Sequence, residues 1–577
     1  MCGIYGITTH DSNFIQEYIN KCSHRGPDGF KVWWHPEYEM TLGHNLLSIM
    51  ANPKLSIQPW KTPKGNTLIY NGEIFNYNEL TTQYKGKGFA GITGCDTELL
   101  AWGLDEFGLD FIDKIDSMHG FAYYKHNEQE LWLSRDHAGI KPLYYAKIEQ
   151  GIVFGSEIKG MLDKVPGSRS IDKLAASFQS RTGINPLRNT LFSGVKKLLP
   201  GETIIWDIKN KKIKQTKRIY IKPNSNISFN PQEFRDQLKS AVKRCSIGQR
   251  KIGVFLSGGL DSSVVAYELG KIKGEVNSFT NKFSPSVQAD EDYNSDAKAA
   301  KILAEAEGFN HTEVEITPKS FIENWNDSIY YMEQPVYNPS MAMYCYTNKV
   351  LSKNGIVVTM AGDMGDEILG GYPKYQKMYN GQQPTSWDDV LRMWFRRLKR
   401  PTKIIQDVID DEILINEFSK CYSNELWNPK DPVASYMALD CVTQVPAEFF
   451  SRNDKYGMAF SMEGRFPLAS KFFMQYCLNI HTKFKIGKNE NETKLLSKQA
   501  YKDLLPNEII TKEKTGWTVP IGHWLTNNLD SNLNKFYRSA MGNEVLDNLT
   551  HSQKSGKTLI PSWIVKDWKN RYEVTNA

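Results

Sequence analysis

The sequence has no apolar run near the roughly 18 residues that a bilayer-spanning helix needs. Its start carries neither the basic flank nor the long apolar core of a secretion signal. No membrane partner is expected, and the protein is expected to be cytoplasmic. Cysteine is sparse: the eight are scattered singly with no C-x-x-C pair, which excludes a disulfide scaffold and a zinc ribbon. An excess of one charge is also missing. A net charge of +6 spread over 577 residues points to no nucleic-acid partner. The one concentrated basic stretch, Arg392 to Lys403, interleaves Trp394 and Phe395 with cations. It reads as an amphipathic helix that buries its aromatics, against the alternative of an RNA or membrane patch.

What is present is an ordinary globular composition, 40% apolar and 24% charged, in a chain long enough for two or three domains and without internal repeats. The first two hundred residues hold short apolar or alternating runs broken by Gly, Pro and Asn, such as TLIYNGEIFNY, FAYYKHNEQELWLSRD, LYYAKI and GIVFGSEI. These predict antiparallel strands and hairpins. The segment ETIIWDIKNKKIKQTKRIYI closes that half and KPNSNISFNPQ reads as a linker, so the domains are expected at 1–225 and 226–577. Beyond the linker the pattern becomes strand, Gly-rich turn and helix, which predicts a parallel sheet covered on both faces and a mostly helical stretch from about Trp387.

Position 2 is cysteine. Removal of Met1 would give Cys2 a free α-amine, whose reference pKa of about 7.7 to 8.0 leaves part of it neutral near pH 7. Such an amine can act as base for the thiol of its own residue. His24-Arg25-Gly26-Pro27-Asp28 follows, then Asn71-Gly72-Glu73 after TLIY, and Asp96 at an expected helix N-terminus. Read alone, Asn-Gly also suits a hairpin turn.

With M-C-G-I-x-G, H-R-G-P-D and N-G-E-I-x-N in that order, the first half resembles the class II, N-terminal-nucleophile glutamine amidotransferases. The resemblance implies an α+β domain of αββα layers. It implies that Asn71 and the Gly72 N–H hold the oxyanion beside Cys2, and that Leu46, Ser48, Ile49, Glu73 and Asp96 complete the glutamine site. The family pattern G-H-x-R-L-S-I stands here as Gly43-His44-Asn45-Leu46-Leu47-Ser48-Ile49. The arginine expected to pair with the glutamine carboxylate is therefore Leu46, and Arg25 is the nearest cation within the motifs that could replace it.

In the second half, the strand KIGVFL leads into Ser257-Gly258-Gly259-Leu260-Asp261-Ser262-Ser263 and a helix. Glycines let the backbone approach a polyphosphate, hydroxyls and helix N-terminal N–H groups bind its oxygens, and Asp261 can hold Mg2+. S-G-G-x-D-S-S is the signature of ATP pyrophosphatases, which cleave between the α- and β-phosphates. A second loop, Ala361-Gly362-Asp363-Met364-Gly365-Asp366-Glu367, resembles S-G-x-G-x-D-E of asparagine synthetases, with Ala361 for Ser and Met364 for Gly. Met332-Glu333-Gln334-Pro335, Asp454 with Met458, Ser461 to Pro467, Glu492-Thr493-Lys494 and Lys512-x-Lys514-x-Gly516-Trp517 extend the resemblance to glutamine-hydrolysing asparagine synthetases over nearly the whole chain.

That resemblance implies an ATP site of Leu256, Ser257, Gly258, Gly259, Leu260, Asp261, Ser262, Ser263, Asn281, Ala361, Gly362 and Asp363, with magnesium on Asp261 and Asp366. By the same analogy Lys494 neutralises pyrophosphate and Glu333 manages the proton of ammonia. The substrates implied are glutamine, ATP and aspartate; a homodimer stays open. Gln334 to Ser340 and Pro467-Leu468-Ala469-Ser470 depart from the usual acceptor segments, which keeps another carboxylate as an alternative, beside a non-catalytic homologue. Two phosphate-loop look-alikes, Gly86 to Gly91 and Gly556-Lys557-Thr558, read as loop glycines.

Overall fold

The computed structural model describes residues 2–575 except 36, 38, 285–291, 337, 339, 398–403, 490, 515–518, 521–523, 525–534 and 536–558. The first half folds as two stacked antiparallel sheets. One runs in the order Val195–Lys197, Tyr144–Ile148, Gly151–Gly155, Gly3–Ile7, Met40–Leu46, Gly29–His35; the other runs Lys212–Arg218, Glu202–Asp207, Glu130–Arg135, Ser117–Lys125, Thr67–Ile74, Trp60–Lys61. Period-two alternation explains the stacking. In Ser117–Lys125, Ala122 and Tyr124 turn to the inter-sheet core with Ile4, Leu42, Ile69 and Phe154, while Phe121 and Tyr123 turn outward to helix Asp96–Phe107. Helix Ser12–Lys21 covers the other outer face through Ile15, Tyr18 and Ile19 against Tyr5 and Ile7. This is the expected αββα arrangement.

No helix or strand element occupies the chain between Arg218 and Pro231. After it, five parallel strands order as Asn310–Ile316, Asn277–Phe283, Ile252–Phe255, Val358–Met360, Glu463–Arg465. Helices Pro231–Cys245 and Leu260–Lys273 pack on one face through Val242, Val264 and Val265 against Val254 and Met360, and Met341–Lys353 packs on the other against Phe279 and Val314. The remainder is chiefly helical. Helix Trp387–Arg397 buries Trp394 and Phe395, as an amphipathic segment should; residues 398–403 of that basic stretch lie outside the described residues. Among the described residues, no helix is long and apolar enough to cross a membrane.

The Asn71-Gly72-Glu73 segment is no turn. It continues strand Thr67–Ile74, paired with Ser117–Lys125 at Asn71–Gly120 and Gly72–His119. Gly86 to Gly91 forms a loop, and Gly556-Lys557-Thr558 lies outside the described residues.

Candidate active sites in the two halves

Cys2 sits at the head of strand Gly3–Ile7 and is buried. Its N–H donates to Asn71 Oδ1 at 3.1 Å, and this nitrogen stands where the α-amine would be once Met1 is removed. Because Oδ1 is engaged, the Asn71 amide is oriented, and its Nδ2 is buried with no hydrogen-bond partner. A buried unpaired donor is costly, and this one belongs to the amide that holds the Cys2 N–H. A Cβ at Gly72 would come within 2.2 Å of the Met118 carbonyl, so only glycine fits against the neighbouring strand. Burial pushes the Cys2 thiol up, opposed by the Leu47 N–H that donates to it.

Two carboxylates complete this pocket. Asp96, at the start of its helix, accepts from the Tyr70 hydroxyl and the Ile74 N–H, both at 3.1 Å. Glu73 reaches Arg465 of the parallel sheet at 2.9 Å and keeps its other oxygen unpartnered. Burial raises both above the ordinary carboxylate range, and Asp96 pushes Glu73 further. An ammonium group between them would relieve that cost. Ser48 is fixed by Asp28, which takes its N–H at 2.8 Å, and Ile49 accepts from Gln249.

Leu46 is 3% exposed. The register that pairs Gly3 with Asn45 brings it opposite Cys2. Arg25 does not replace the missing cation. Its guanidinium is fully buried, with Nη1 on Asp454 at 2.9 Å and Glu157 at 3.0 Å and Nε on the Cys2 carbonyl, so its charge is already spent on carboxylates.

In the second half, Ser257 to Ser263 turns between strand Ile252–Phe255 and helix Leu260–Lys273. Gly258 has φ +69°, and a Cβ there would meet the Asp296 carbonyl at 2.4 Å. Ser262 Oγ lies 3.0 Å from Ser257 Oγ and donates to the Gly259 carbonyl at 3.0 Å, as Ser263 Oγ does at 2.9 Å. The second loop presses against this one: a Cβ on Gly362 would strike the Ser262 nitrogen at 2.5 Å, and one on Gly365 would strike the Asp261 carboxylate. Met364 adopts φ +79°, the left-handed region that glycine occupies without cost, so its substitution for glycine keeps the turn under strain.

Between the loops Lys494 Nζ joins Asp261 at 2.5 Å and Asp366 at 2.7 Å, and Lys514 joins the other Asp366 oxygen at 2.5 Å. Asp261 is raised by burial against the pull of Lys494. Burial alone would raise Asp366 too, but Lys494 and Lys514 hold it below the usual carboxylate range. Two carboxylates converging on one cation, with Asp261 Oδ1 still unpartnered, fit a divalent ion as well as an ammonium. Asp363 accepts from Asn453 at 3.2 Å. Leu256 donates to the Phe279 carbonyl, Ala361 to that of Arg465, and Asn281 accepts from Thr347 at 2.7 Å.

Glu333 is placed elsewhere. Its oxygens accept the N–H groups of Ile158 and Lys159 at 3.0 and 2.7 Å, and it pairs with Lys455 and Lys159. It belongs to a buried ionic seam between the halves, with Arg25, Glu157, Lys159, Asp454 and Lys455, and not to the aspartate–lysine cluster. Glu157 and Lys159 were not singled out in the sequence. Two charges ending the buried run GIVFGSEIK were the available signal.

This fold and these two sites define a two-part enzyme class, an N-terminal-nucleophile glutaminase joined to an ATP-pyrophosphatase unit. Residues 1–220 match the glutamine amidotransferase domain family and residues 233–558 the asparagine synthase family. The chain belongs to the asparagine synthase family. It is 24% identical to "Asparagine synthetase [glutamine-hydrolyzing] 3" of Bacillus subtilis (strain 168), over 96% of this chain and 94% of that protein. It is 25% identical to "Asparagine synthetase [glutamine-hydrolyzing] 1" of the same organism (92% and 89%). It is 23% identical to "Asparagine synthetase B [glutamine-hydrolyzing]" of Escherichia coli (strain K12) (91% and 83%).

Proposed function

We propose that the protein hydrolyses glutamine at Cys2 and uses the ammonia to amidate aspartate activated by ATP. The observation that carries this reading is the Asn71 amide, turned by the Cys2 N–H so that a buried Nδ2 is left to receive a developing oxyanion. With Met1 removed, the α-amine of Cys2 accepts the thiol proton as sulphur attacks the glutamine amide carbon. Asn71 Nδ2 and the Gly72 N–H hold the tetrahedral oxygen, ammonia leaves, and water releases glutamate from the thioester. Glu73 and Asp96 hold the α-ammonium.

In the other half, Ser257 to Ser263 cradles the triphosphate, and Lys494 draws negative charge toward the leaving pyrophosphate. Mg2+ held by Asp261 and Asp366 would neutralise phosphate charge. The aspartate side-chain carboxylate displaces pyrophosphate at the α-phosphorus, ammonia then attacks the acyl carbon, and AMP leaves. Pyrophosphate exchange into ATP, measured across a panel of carboxylic acids, tests the reading. Aspartate-dependent exchange supports it, and exchange driven only by another acid gives the acceptor to that acid. The departures at Gln334 to Ser340 and at Pro467-Leu468-Ala469-Ser470 are what favour running the panel. ADP and phosphate as products would overturn the reading.

A further inference from the structure

A cavity lies at the seam of the two halves, where the first contributes Arg135 and Lys197 and the second contributes Gln334, Tyr422, Thr443 and Ser451. Tyr144, prolines and aliphatic side chains complete its walls. No carboxylate is among the described residues that line it. This is unusual, because the other buried cations of the seam, Arg25, Lys159 and Lys455, each have one.

Arg135 is 7% exposed, and its Nε, Nη1 and Nη2 each donate to a backbone carbonyl, those of Lys141, Leu198 and Gly139, at 2.7 Å. A guanidinium has five N–H donors, so two remain. Lys197 Nζ donates to the Asn185 carbonyl and has two more donors. Among the described residues neither cation forms an ion pair. Lys197 is close enough to feel Arg135: burial, and after it the charge of Arg135, pushes the Lys197 amine down to about 7. The carboxylate charge that acts most on Arg135 is that of Asp136, which lies outside the lining and accepts four backbone N–H groups. Two basic side chains facing a cavity that no carboxylate lines are a poor arrangement for stability alone, and a good one for an anion that arrives from solution.

We propose that this cavity binds a small organic carboxylate, its oxygens taken by Lys197 and Arg135 and its apolar body by the proline, Tyr422 and aliphatic walls. The proposal does not depend on which acid is adenylated. The site is coupled to the ligase half through Ser451, which accepts from Gln334 at 3.2 Å and begins helix Ser451–Ala459. Asn453 of that helix binds Asp363 in the nucleotide loop.

Thermal unfolding of the full chain, titrated with butyrate and with the neutral isostere butyramide, tests it. Butyrate is expected to raise Tm saturably and butyramide to leave it unmoved. Lys197→Met should weaken the butyrate response at least tenfold, and Lys197→Arg should restore it. Ala447→Phe, which places a ring at the cavity wall, should abolish the response and covers the case in which Lys197→Met folds poorly. Equal shifts with both compounds, or an unchanged butyrate response in Lys197→Met and Ala447→Phe, would overturn the proposal. Repeating the titration with saturating aspartate identifies the source. Displacement makes the cavity part of the acceptor site, and simultaneous binding makes it a separate effector site.

Discussion

Arg465, the last residue of the parallel sheet's edge strand, donates to Glu73 of the first half at 2.9 Å while its Nε holds Glu463 at 2.6 Å. All three side chains are buried, and Nη1 reaches the carbonyls of Cys245 and Ile247. One side chain thus ties strand Thr67–Ile74 of the first half, the helix Pro231–Cys245 and the parallel sheet together.

Removing that guanidinium would leave two carboxylates buried without their cation. Arg465→Met is therefore expected to cost roughly 3 to 5 kcal/mol of stability, read as a lowered denaturant midpoint. A loss below about 1 kcal/mol would mean that water or another cation reaches the pair.

The Asn71 geometry predicts a selective defect. Asn71→Ala removes the unpartnered Nδ2 and should lower glutaminase kcat by about 10²- to 10³-fold, while amide formation from added ammonium salt continues. Cys2→Ala should abolish the glutamine route and spare the ammonium route in the same way. Equal loss of both routes in either variant would show that the first half is needed for the ligase chemistry itself.

Much of this was legible in the sequence wherever the chemistry is contiguous. Cys2, Asn71-Gly72, Ser257 to Ser263 and Asp366 stand in short motifs, and Lys494 pairs with both Asp261 and Asp366. The ionic seam was not legible, because Arg25 meets Asp454 across 429 positions and Glu333 is held by backbone N–H groups of residues 158 and 159. No local pattern encodes such pairings. Asn71-Gly72-Glu73 shows the converse limit: the dipeptide suits a turn, but pairing with Ser117–Lys125 draws it into a strand.

Glu367 offers a pH test. Burial first, then the neighbouring Asp366 charge, lift its carboxyl to about 8, above the value near 4.3 of an unfolded chain. The folded protein therefore binds a proton that the unfolded chain releases. The stability from this group is fully present below the unfolded value and is lost as pH rises through the folded one. Glu367→Gln should gain stability relative to the parent at pH 8 compared with pH 5, measured as the difference in urea midpoints. A gap that does not change with pH would show that Glu367 is ionised throughout.

Leu46 gives the sharpest test of donor recognition. It is buried opposite Cys2, and Arg25, the nearest cation in the sequence motifs, is held by Asp454 and Glu157. On the proposed reading the α-ammonium of glutamine meets Glu73 and Asp96, whereas its carboxylate lacks one charge-assisted partner, worth about 1.5 to 3 kcal/mol, or roughly ten- to a hundredfold in binding. Glutamine should accordingly bind weakly. Leu46→Arg should lower the glutamine KM by up to that factor and leave the ammonium-dependent rate unchanged, because the adenylation loops lie in the other half. Steady-state kinetics with both nitrogen donors separates the outcomes. Tight glutamine binding by the parent protein would require another cation at the carboxylate. Arg250, which donates to the Ser48 carbonyl and pairs with Asp28, both at 2.8 Å, would then be the side chain to replace, and Arg250→Met should raise the glutamine KM where Leu46→Arg does not lower it.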